Sequence, residues 1–211
     1  MAAPALLPLA EQERADLLAL LEGLTEEQWA APSLCAGWSV RDVAVHVVSY
    51  DPLTTRKLGG AFVRGGFRVE SVNDLVLRAY DALSPAAVLD LVRRHLRPRG
   101  LTAGLGGGIA LTDGTIHHQD VRRGLGLPRV VPAERLVPAL DFARRAPTLP
   151  GRSLTRGLRL VADDVDFSVG RGPEVSGPGE ALLMVVAGRP AALGELSGPG
   201  VVELRRRLRA G

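Results

Sequence analysis

The first two-thirds of the sequence repeats one pattern, in which apolar residues recur at helical spacing between capping residues and glycine or proline breaks. Leu17, Leu20, Leu21 and Leu24 fall on one face of the first such segment. Ser39 precedes another segment, and a serine there accepts hydrogen bonds from the first turn of a helix. Aromatic residues make up only 4% of the chain. The core must therefore consist mostly of Leu, Val and Ala, and the pattern predicts a mainly α-helical protein.

This helical pattern is interrupted once and then ends. Glycines at positions 59, 60, 65 and 66 break it in the middle of the first part. From about residue 147 the character changes, and residues 158–177 alternate polar and apolar side chains between turn glycines, which is typical of two or three short strands. Helices are predicted again over 178–188 and 200–210. We expect two domains, a helical bundle over 1–147 and a small α+β domain over 148–211.

Composition and charge exclude several classes of protein. Cys35 is the only cysteine, so no internal disulfide can form, which fits a reducing cytoplasm. The net charge is +3, but the basic clusters at 92–100 and 204–211 contain no interleaved aromatic residues, and nucleic-acid binding is therefore the least favoured function. No apolar run approaches the roughly 20 residues that span a bilayer. We expect a cytoplasmic protein that binds neither membrane nor nucleic acid.

Three side chains could hold a metal ion. A helix predicted over 109–125 places Asp113 and His117 four residues apart, one above the other on the same face. His46 lies within the apolar stripe of a different helix, among valines, where a histidine is unusual. Two imidazoles and one carboxylate leave coordination positions open, as catalytic metal sites do. Zinc is the first expectation, and nickel or ferrous iron would suit the same ligands.

The same residues have other interpretations. His46 could be a hydrogen-bonded histidine of the core, and an acid four residues before a histidine is common on solvated helix faces. His118 points about 100° away from His117, so that at most one of them is a ligand, and His118 is predicted to line the substrate site. Asp120 is predicted to accept the second N–H of His117 and orient its ring. The alternative for Asp120 is an ion pair with Arg123.

Two of these segments together resemble a known family. Residues 34–47, LCAGWSVRDVAVHV, and residues 113–126, DGTIHHQDVRRGLG, are similar to the signature segments of the DinB-like, mycothiol-dependent maleylpyruvate isomerase family of actinobacteria. Residues 187–201, AGRPAALGELSGPGV, are similar to the end of that family's C-terminal domain. The resemblance assigns His46 and His117 to the two metal-binding histidines. It assigns Asp113 to the metal-binding carboxylate, which is usually the longer Glu in that family.

The resemblance implies a DinB-like four-helix bundle with a divalent metal between its helices and a small sheet-containing C-terminal part. It also implies mycothiol, a low-molecular-weight thiol, as a cofactor and nucleophile. Metal ligation would lower the pKa of that thiol. Cys35 need not then be the nucleophile, and we expect it to be a small buried side chain.

Two further residues are candidates for binding substrate. Arg189 carries a planar guanidinium suited to a carboxylate, and Trp38 precedes His46 by about two helical turns. The alternatives are that Arg189 pairs with a nearby acid or with a carbonyl at the turn after a helix, and that Trp38 packs the loop onto the bundle. We expect a metal-dependent isomerase or thiol transferase whose partners are a small electrophilic substrate and a small thiol. Two copies are expected to pair through a helix face. The alternative is a non-catalytic, degenerate DinB-like bundle that acts by binding or dimerisation.

Overall fold

The computed structural model describes residues 6–66 and 68–210, and within them the chain is mainly helical with one small sheet. Its helices are α1 Leu6–Glu22, α2 Glu26–Ala30, α3 Val40–Ser49, α4 Thr55–Arg64, α5 Val69–Arg78, α6 Pro85–Arg94, α7 Gly108–Gly124, α8 Ala133–Ala143, α9 Gly151–Thr155, α10 Gly179–Val186 and α11 Val201–Ala210. Short 3₁₀ turns cover Leu105–Gly107 and Pro190–Glu195, and the strands are β1 Arg159–Ala162, β2 Ser168–Gly170 and β3 Glu174–Gly177. The predicted fold class is confirmed.

Contacts along the chain divide it into two compact units, one ending at Arg129 and the other beginning at Val130. The sequence prediction placed the division after residue 147. The difference arises because α8 packs against α10 and so belongs to the second unit. Sequence periodicity shows that α8 is a helix, but it does not show which core that helix covers.

The first unit is organised around four helices that share one core. Helix α1 packs against α6 and α7, and α3 packs against the same two helices. Their buried faces are rich in valine and leucine, with Trp29 and Val121 completing the core. This arrangement brings the middle of α3 beside the middle of α7, which is where the predicted ligands lie.

Local sequence signals set several helix starts. Thr25 and Gln28 form a capping box at the start of α2, and Ser39 and Asp42 form another at the start of α3. In each box the two side chains satisfy backbone N–H groups that the first helical turn leaves without partners. Ser84 caps α6, whose first residue is Pro85. The cap at Ser39 agrees with the sequence prediction.

Helix α4 differs from the sequence prediction, in which Gly59 and Gly60 break the helical pattern. The helix nevertheless runs through both glycines, each of which costs about 1 kcal/mol relative to alanine. Ala61 on α4 packs with Val72 and Val76 on α5 in a small separate core. Tertiary packing of the two helices offsets the weak helical propensity of the glycines.

The second unit contains the sheet, in the order β2-β1-β3. Strand β1 pairs antiparallel with β2, with Leu160 opposite Val169, and parallel with β3, with Leu160 opposite Val175. Helix α10 packs against β1, β3 and α8, which explains why its sequence is apolar on nearly every side. In the part of the chain that the structure describes, no helix is both long enough and apolar enough to cross a membrane.

Arg14 of α1 and Asp51, just after α3, form a buried ion pair. Both nitrogens at the end of the guanidinium bind the carboxylate, at 2.7 and 3.0 Å, and the two side chains are at most 1% exposed. Arg14 also donates to the carbonyl of Val47 at 2.9 Å. Asp51 accepts further hydrogen bonds from the Thr102 hydroxyl and the Arg99 backbone. Buried charges paired in this way resist any shift of α3 along α1, since a shift would leave a charge without its partner.

Glu13, the neighbour of Arg14, makes the equivalent connection to α7. Its carboxylate accepts hydrogen bonds from Arg129 at 2.6 and 2.7 Å and from His118 Nδ1 at 2.9 Å. Burial alone would raise the pKa of Glu13, but His118 and Arg129 lower it to about 2. Burial lowers the pKa of His118, whose Nε2 accepts a hydrogen bond from Arg122. His118 is therefore a neutral histidine that bonds on both sides.

Replacing Glu13 by glutamine should change how stability depends on pH. A lowered carboxyl pKa contributes stability that is present above the ordinary value of 4.5 and is lost as the pH falls through about 2. We expect the difference in unfolding free energy between wild type and Glu13→Gln to shrink by about 3 kcal/mol over that interval. Urea denaturation at a series of pH values measures it. Glu22→Gln, on the exposed part of α1, is the control, and equal pH slopes for both variants would contradict the account.

Candidate metal centre

The structure brings together the three side chains that the sequence predicts as metal ligands. His46 comes from α3, and Asp113 and His117 come from successive turns of α7. Asp113 Oδ1 lies 3.5 Å from His46 Nε2 and 3.4 Å from His117 Nε2. The two imidazole rings meet edge to face with their centroids 4.7 Å apart. Two nitrogens and one oxygen thus lie within 4.8 Å of one another between the helices.

The distances in this group fit a shared cation better than direct hydrogen bonds. Good N–H···O hydrogen bonds are about 2.7–3.2 Å long, which is shorter than both Asp113 contacts. Ligands about 2.0–2.1 Å from a tetrahedral metal ion lie about 3.3 Å from one another. The measured 3.4 and 3.5 Å are close to that edge length. Asp113 therefore reaches both histidines although it is one methylene shorter than glutamate.

One side of the group is open to solvent. The Asp113 side chain is 34% exposed, while those of His46 and His117 are 8% and 10% exposed. Water or a small molecule can approach from the Asp113 side. Three protein ligands with one open side is the arrangement of a catalytic metal site, whereas structural sites are closed by four protein ligands.

Asp120 holds the other edge of the His117 ring. Its Oδ2 lies 2.9 Å from His117 Nδ1, and its side chain is completely buried. An ionised carboxylate only accepts hydrogen bonds, so that Nδ1 carries the hydrogen and donates it. The Nε2 atom then faces Asp113 and His46, as a metal ligand requires. The role predicted for Asp120 has the geometry that it needs.

The loop before α3 forms a turn that places two side chains against His117. The backbone N–H of Trp38 donates to the carbonyl of Cys35 at 3.0 Å, which closes the turn. Gly37 has a φ of +79°, a conformation that favours glycine. Ahead of the turn, the N–H of Leu34 donates to the backbone carbonyl of Asp120 at 3.1 Å. The turn is therefore fastened directly to α7.

Aromatic rings form the walls around the two histidines. The Trp38 ring centroid lies 4.9 Å from that of His46 and 6.1 Å from that of His117. On the other side, the ring of Tyr50 meets His46 edge-on at 5.8 Å, and its hydroxyl donates to Asn73 Oδ1 at 2.6 Å. Burial, and then the charge of Asp113, raise the pKa of Tyr50, so that it stays protonated. Sequence analysis found Trp38 but missed Tyr50, which follows His46 by one helical turn.

Electrostatics in the group favour an ion pair when no cation is bound. Desolvation would raise the pKa of Asp113, but His117 and His46 hold it well below its usual 3.8. Burial would lower the pKa of His117, but Asp113, Asp120 and Cys35 raise it well above its usual 6.5. A metal ion that binds here takes the place of the proton between His117 and Asp113, and its affinity must fall in acid.

The other candidate residues, His118, Arg189 and Cys35, are not among the three converging side chains. His118 is predicted to line the substrate site, but it is fully buried between Glu13 and Arg122. The reason is that the face of α7 that carries His118 packs against α1. Arg189 belongs to the second unit, where its Nη1 donates to the carbonyl of Ala187 at 2.8 Å. Its proposed contact with substrate stays a prediction. Cys35 was expected to be buried but is only partly so, and its thiol has a specific partner, Asp120 Oδ2, at 3.0 Å.

Comparisons with known proteins show which domain family and which solved structures the chain is similar to. Residues 10–100 match the family model described as mycothiol maleylpyruvate isomerase N-terminal domain. The matched segment contains His46 and ends before α7. No curated protein matches the chain significantly in sequence.

Two solved structures share the fold. One is a crystal structure of a histidine-to-alanine mutant of the mycothiol-dependent maleylpyruvate isomerase, at 15% identity, covering 92% of this chain and 91% of that one, with a TM-score of 0.53. The other is a crystal structure of the mycothiol-dependent maleylpyruvate isomerase, at 16% identity, with the same coverage and a TM-score of 0.52. The family model over residues 10–100 supports the family resemblance seen in the sequence, and the two structures show that the fold is shared.

Replacing Asp113 by asparagine should lower the pKa of His117 in metal-free protein, because the largest of the contributions that oppose burial would be lost while those of Asp120 and Cys35 remain. Imidazole signals followed by NMR titration measure this shift. The Asp113–His117 pair contributes full stability between the ordinary pKa values of 3.8 and 6.5. That contribution is lost as the pH rises through the raised pKa of His117, or falls through the lowered pKa of Asp113.

Asp74→Asn, which changes an exposed carboxylate on α5, serves as the control for this titration. It should leave the pKa of His117 where it is in wild type. A His117 that titrates at the same pH in Asp113→Asn and in wild type would show that the two side chains do not interact in solution.

Proposed function

We propose that this chain, whose residues 10–100 belong to the mycothiol maleylpyruvate isomerase N-terminal domain family, is a metal-dependent enzyme that works with a small thiol. The reaction that we propose is an isomerisation or a thiol transfer on a small electrophilic substrate. One observation carries the proposal: the convergence of His46 Nε2, Asp113 Oδ1 and His117 Nε2, at ligand spacing, on a site open to solvent on one side.

The donor set decides which ions suit the site. Two neutral imidazoles and one carboxylate are ligands for zinc, nickel or ferrous iron, and zinc is our first choice. His46, Asp113 and His117 would hold the ion. When bound, it supplies a Lewis acid that lowers the pKa of a thiol held in the open position.

The chain's own residues prepare the site for that chemistry. Asp120 keeps the proton of His117 on Nδ1 and leaves Nε2 free for the ion. Trp38 and Tyr50 pack around the histidines and exclude water from their faces. The Tyr50 hydroxyl keeps its proton and uses it toward Asn73, which fixes the ring as a wall rather than as an acid. We propose that reactants approach beside Asp113, the most exposed of the three side chains.

The nucleophilic thiol is proposed to come from outside the chain. Cys35, the only cysteine, directs its thiol to Asp120 on the Nδ1 side of His117, while the open side faces Asp113. The matching domain family is named after mycothiol, and we propose mycothiol or a similar low-molecular-weight thiol as the cofactor. A cytoplasmic location and the pairing of two copies are parts of the same proposal.

Metal analysis tests the proposal against a non-catalytic bundle. Protein purified without added metal should contain about one divalent ion per chain, and His46→Ala and His117→Ala should contain almost none, because each variant removes one of three ligands. His95→Ala, a change at the C-terminal end of α6, is the matched histidine control and should keep the ion. A metal content near zero in wild type, even after incubation with zinc, would favour a bundle that acts only by binding.

A thiol can be placed at the site by spectroscopy of the cobalt-substituted protein. Cobalt alone should give no sulfur-to-cobalt absorption in the near ultraviolet, because Cys35 is not among the proposed ligands. Adding a low-molecular-weight thiol should produce that absorption, and the alcohol of the same shape should not. The same result is expected in Cys35→Ser. A sulfur band that precedes the added thiol and disappears in Cys35→Ser would place the ion at Cys35 and contradict the proposed site.

A further inference from the structure

The Cys35 thiol has a defined place beside the metal centre that the reaction itself does not use. Its Sγ lies 3.0 Å from Asp120 Oδ2 and 3.5 Å from His117 Nδ1. The turn closed by Trp38 holds Cys35 there, and the Leu34 N–H fastens the preceding residue to α7. Backbone hydrogen bonds on both sides of Cys35 in the sequence therefore fix the position of its thiol.

Asp120 needs donors because its side chain is completely buried. Burying a carboxylate is costly unless hydrogen bonds replace the lost water. His117 Nδ1–H supplies one bond to Oδ2, at 2.9 Å, and the Cys35 S–H supplies another to the same oxygen. A thiol is a weak donor, but it reaches this oxygen without adding a second charge beside His117.

We infer that Cys35 is a positioning residue of the metal centre: its thiol holds the Asp120 carboxylate, and through it the His117 imidazole, in the orientation that presents Nε2 to the ion. The inference rests on the proposed function, since it assigns Cys35 a part in the same site. The order of contacts is Cys35 to Asp120, Asp120 to His117 and His117 to the ion. Cys35 itself touches neither metal nor substrate.

A competing interpretation makes Cys35, His117 and Asp120 a second set of metal ligands, since their donor atoms also lie within 4.8 Å of one another. The distances favour hydrogen bonding instead. The 2.9 Å between His117 Nδ1 and Asp120 Oδ2 is a hydrogen-bond length, and is shorter than the 3.4–3.5 Å found around Asp113. An ion at Cys35 would also have to displace the proton that orients His117.

The test compares zinc affinities, measured by competition with a coloured chelator, in wild type and Cys35 variants of the whole chain. Removing a residue that orients a metal ligand typically costs 10–100-fold in affinity. We expect about that loss for Asp120→Asn and, because a thiol is the weaker partner, about 3–10-fold for Cys35→Ala. Cys35→Ser keeps a donor in place and should stay within about twofold of wild type.

Two controls separate positioning from general destabilisation. Ser39→Ala removes the cap of α3 without touching Asp120, and should lower the melting temperature while leaving zinc affinity unchanged. In the double variant Cys35→Ala/Asp120→Asn, the loss should equal that of Asp120→Asn alone, because Cys35 acts only through Asp120. Should Cys35→Ala not fold, a methylthio reagent on folded wild type removes the same S–H, since no other cysteine is present. The affinity should fall and then recover on reduction with a phosphine.

The outcomes are distinct. Zinc affinity that is unchanged in Cys35→Ala, or in the methylthiolated protein, overturns the inference and leaves the metal-dependent function standing. Losses that add up fully in the double variant overturn it as well, since Cys35 would then act independently of Asp120. A wild type that binds no zinc overturns the inference together with the proposed function.

Discussion

Two neighbouring buried charges on α1 hold the helices that carry the proposed metal ligands. Glu13 pairs with Arg129 and bonds His118, the residue after His117 on α7. Arg14 pairs with Asp51 and bonds the carbonyl of the residue after His46 on α3. Because a buried charge without its partner is strongly destabilising, α3 and α7 have little freedom to slide along α1. The separation between His46 and His117 is set by residues that touch neither ligand ring.

This constraint explains how a short carboxylate can serve at the site. Asp113 reaches both imidazoles only because α3 and α7 pack directly against each other in the middle of the first unit. Around the ligands, Asp120 orients one ring while Trp38 and Tyr50 confine both. The site thus combines a rigid interior with one open side, which is what chemistry on a small molecule requires.

Sequence analysis could predict whatever is encoded locally. Capping residues such as Ser39 mark helix starts, and the spacing of Asp113 and His117 places both on one helical face whatever that helix packs against. Contacts between residues that are far apart in the sequence were not predictable in this way. Glu13 and Arg14 look like part of a solvated face until α7 and Asp51 are seen beside them. His118 differs from His117 only by a rotation about the helix axis, so that its burial depends on where α1 lies.

The claim that His46, Asp113 and His117 hold one ion is tested most directly by anomalous diffraction from crystals grown with zinc, recorded on both sides of the zinc absorption edge. The account predicts one strong anomalous peak within bonding distance of the two Nε2 atoms and an Asp113 oxygen. A peak beside Cys35 and Asp120, or zinc bound only at the protein surface, would contradict it.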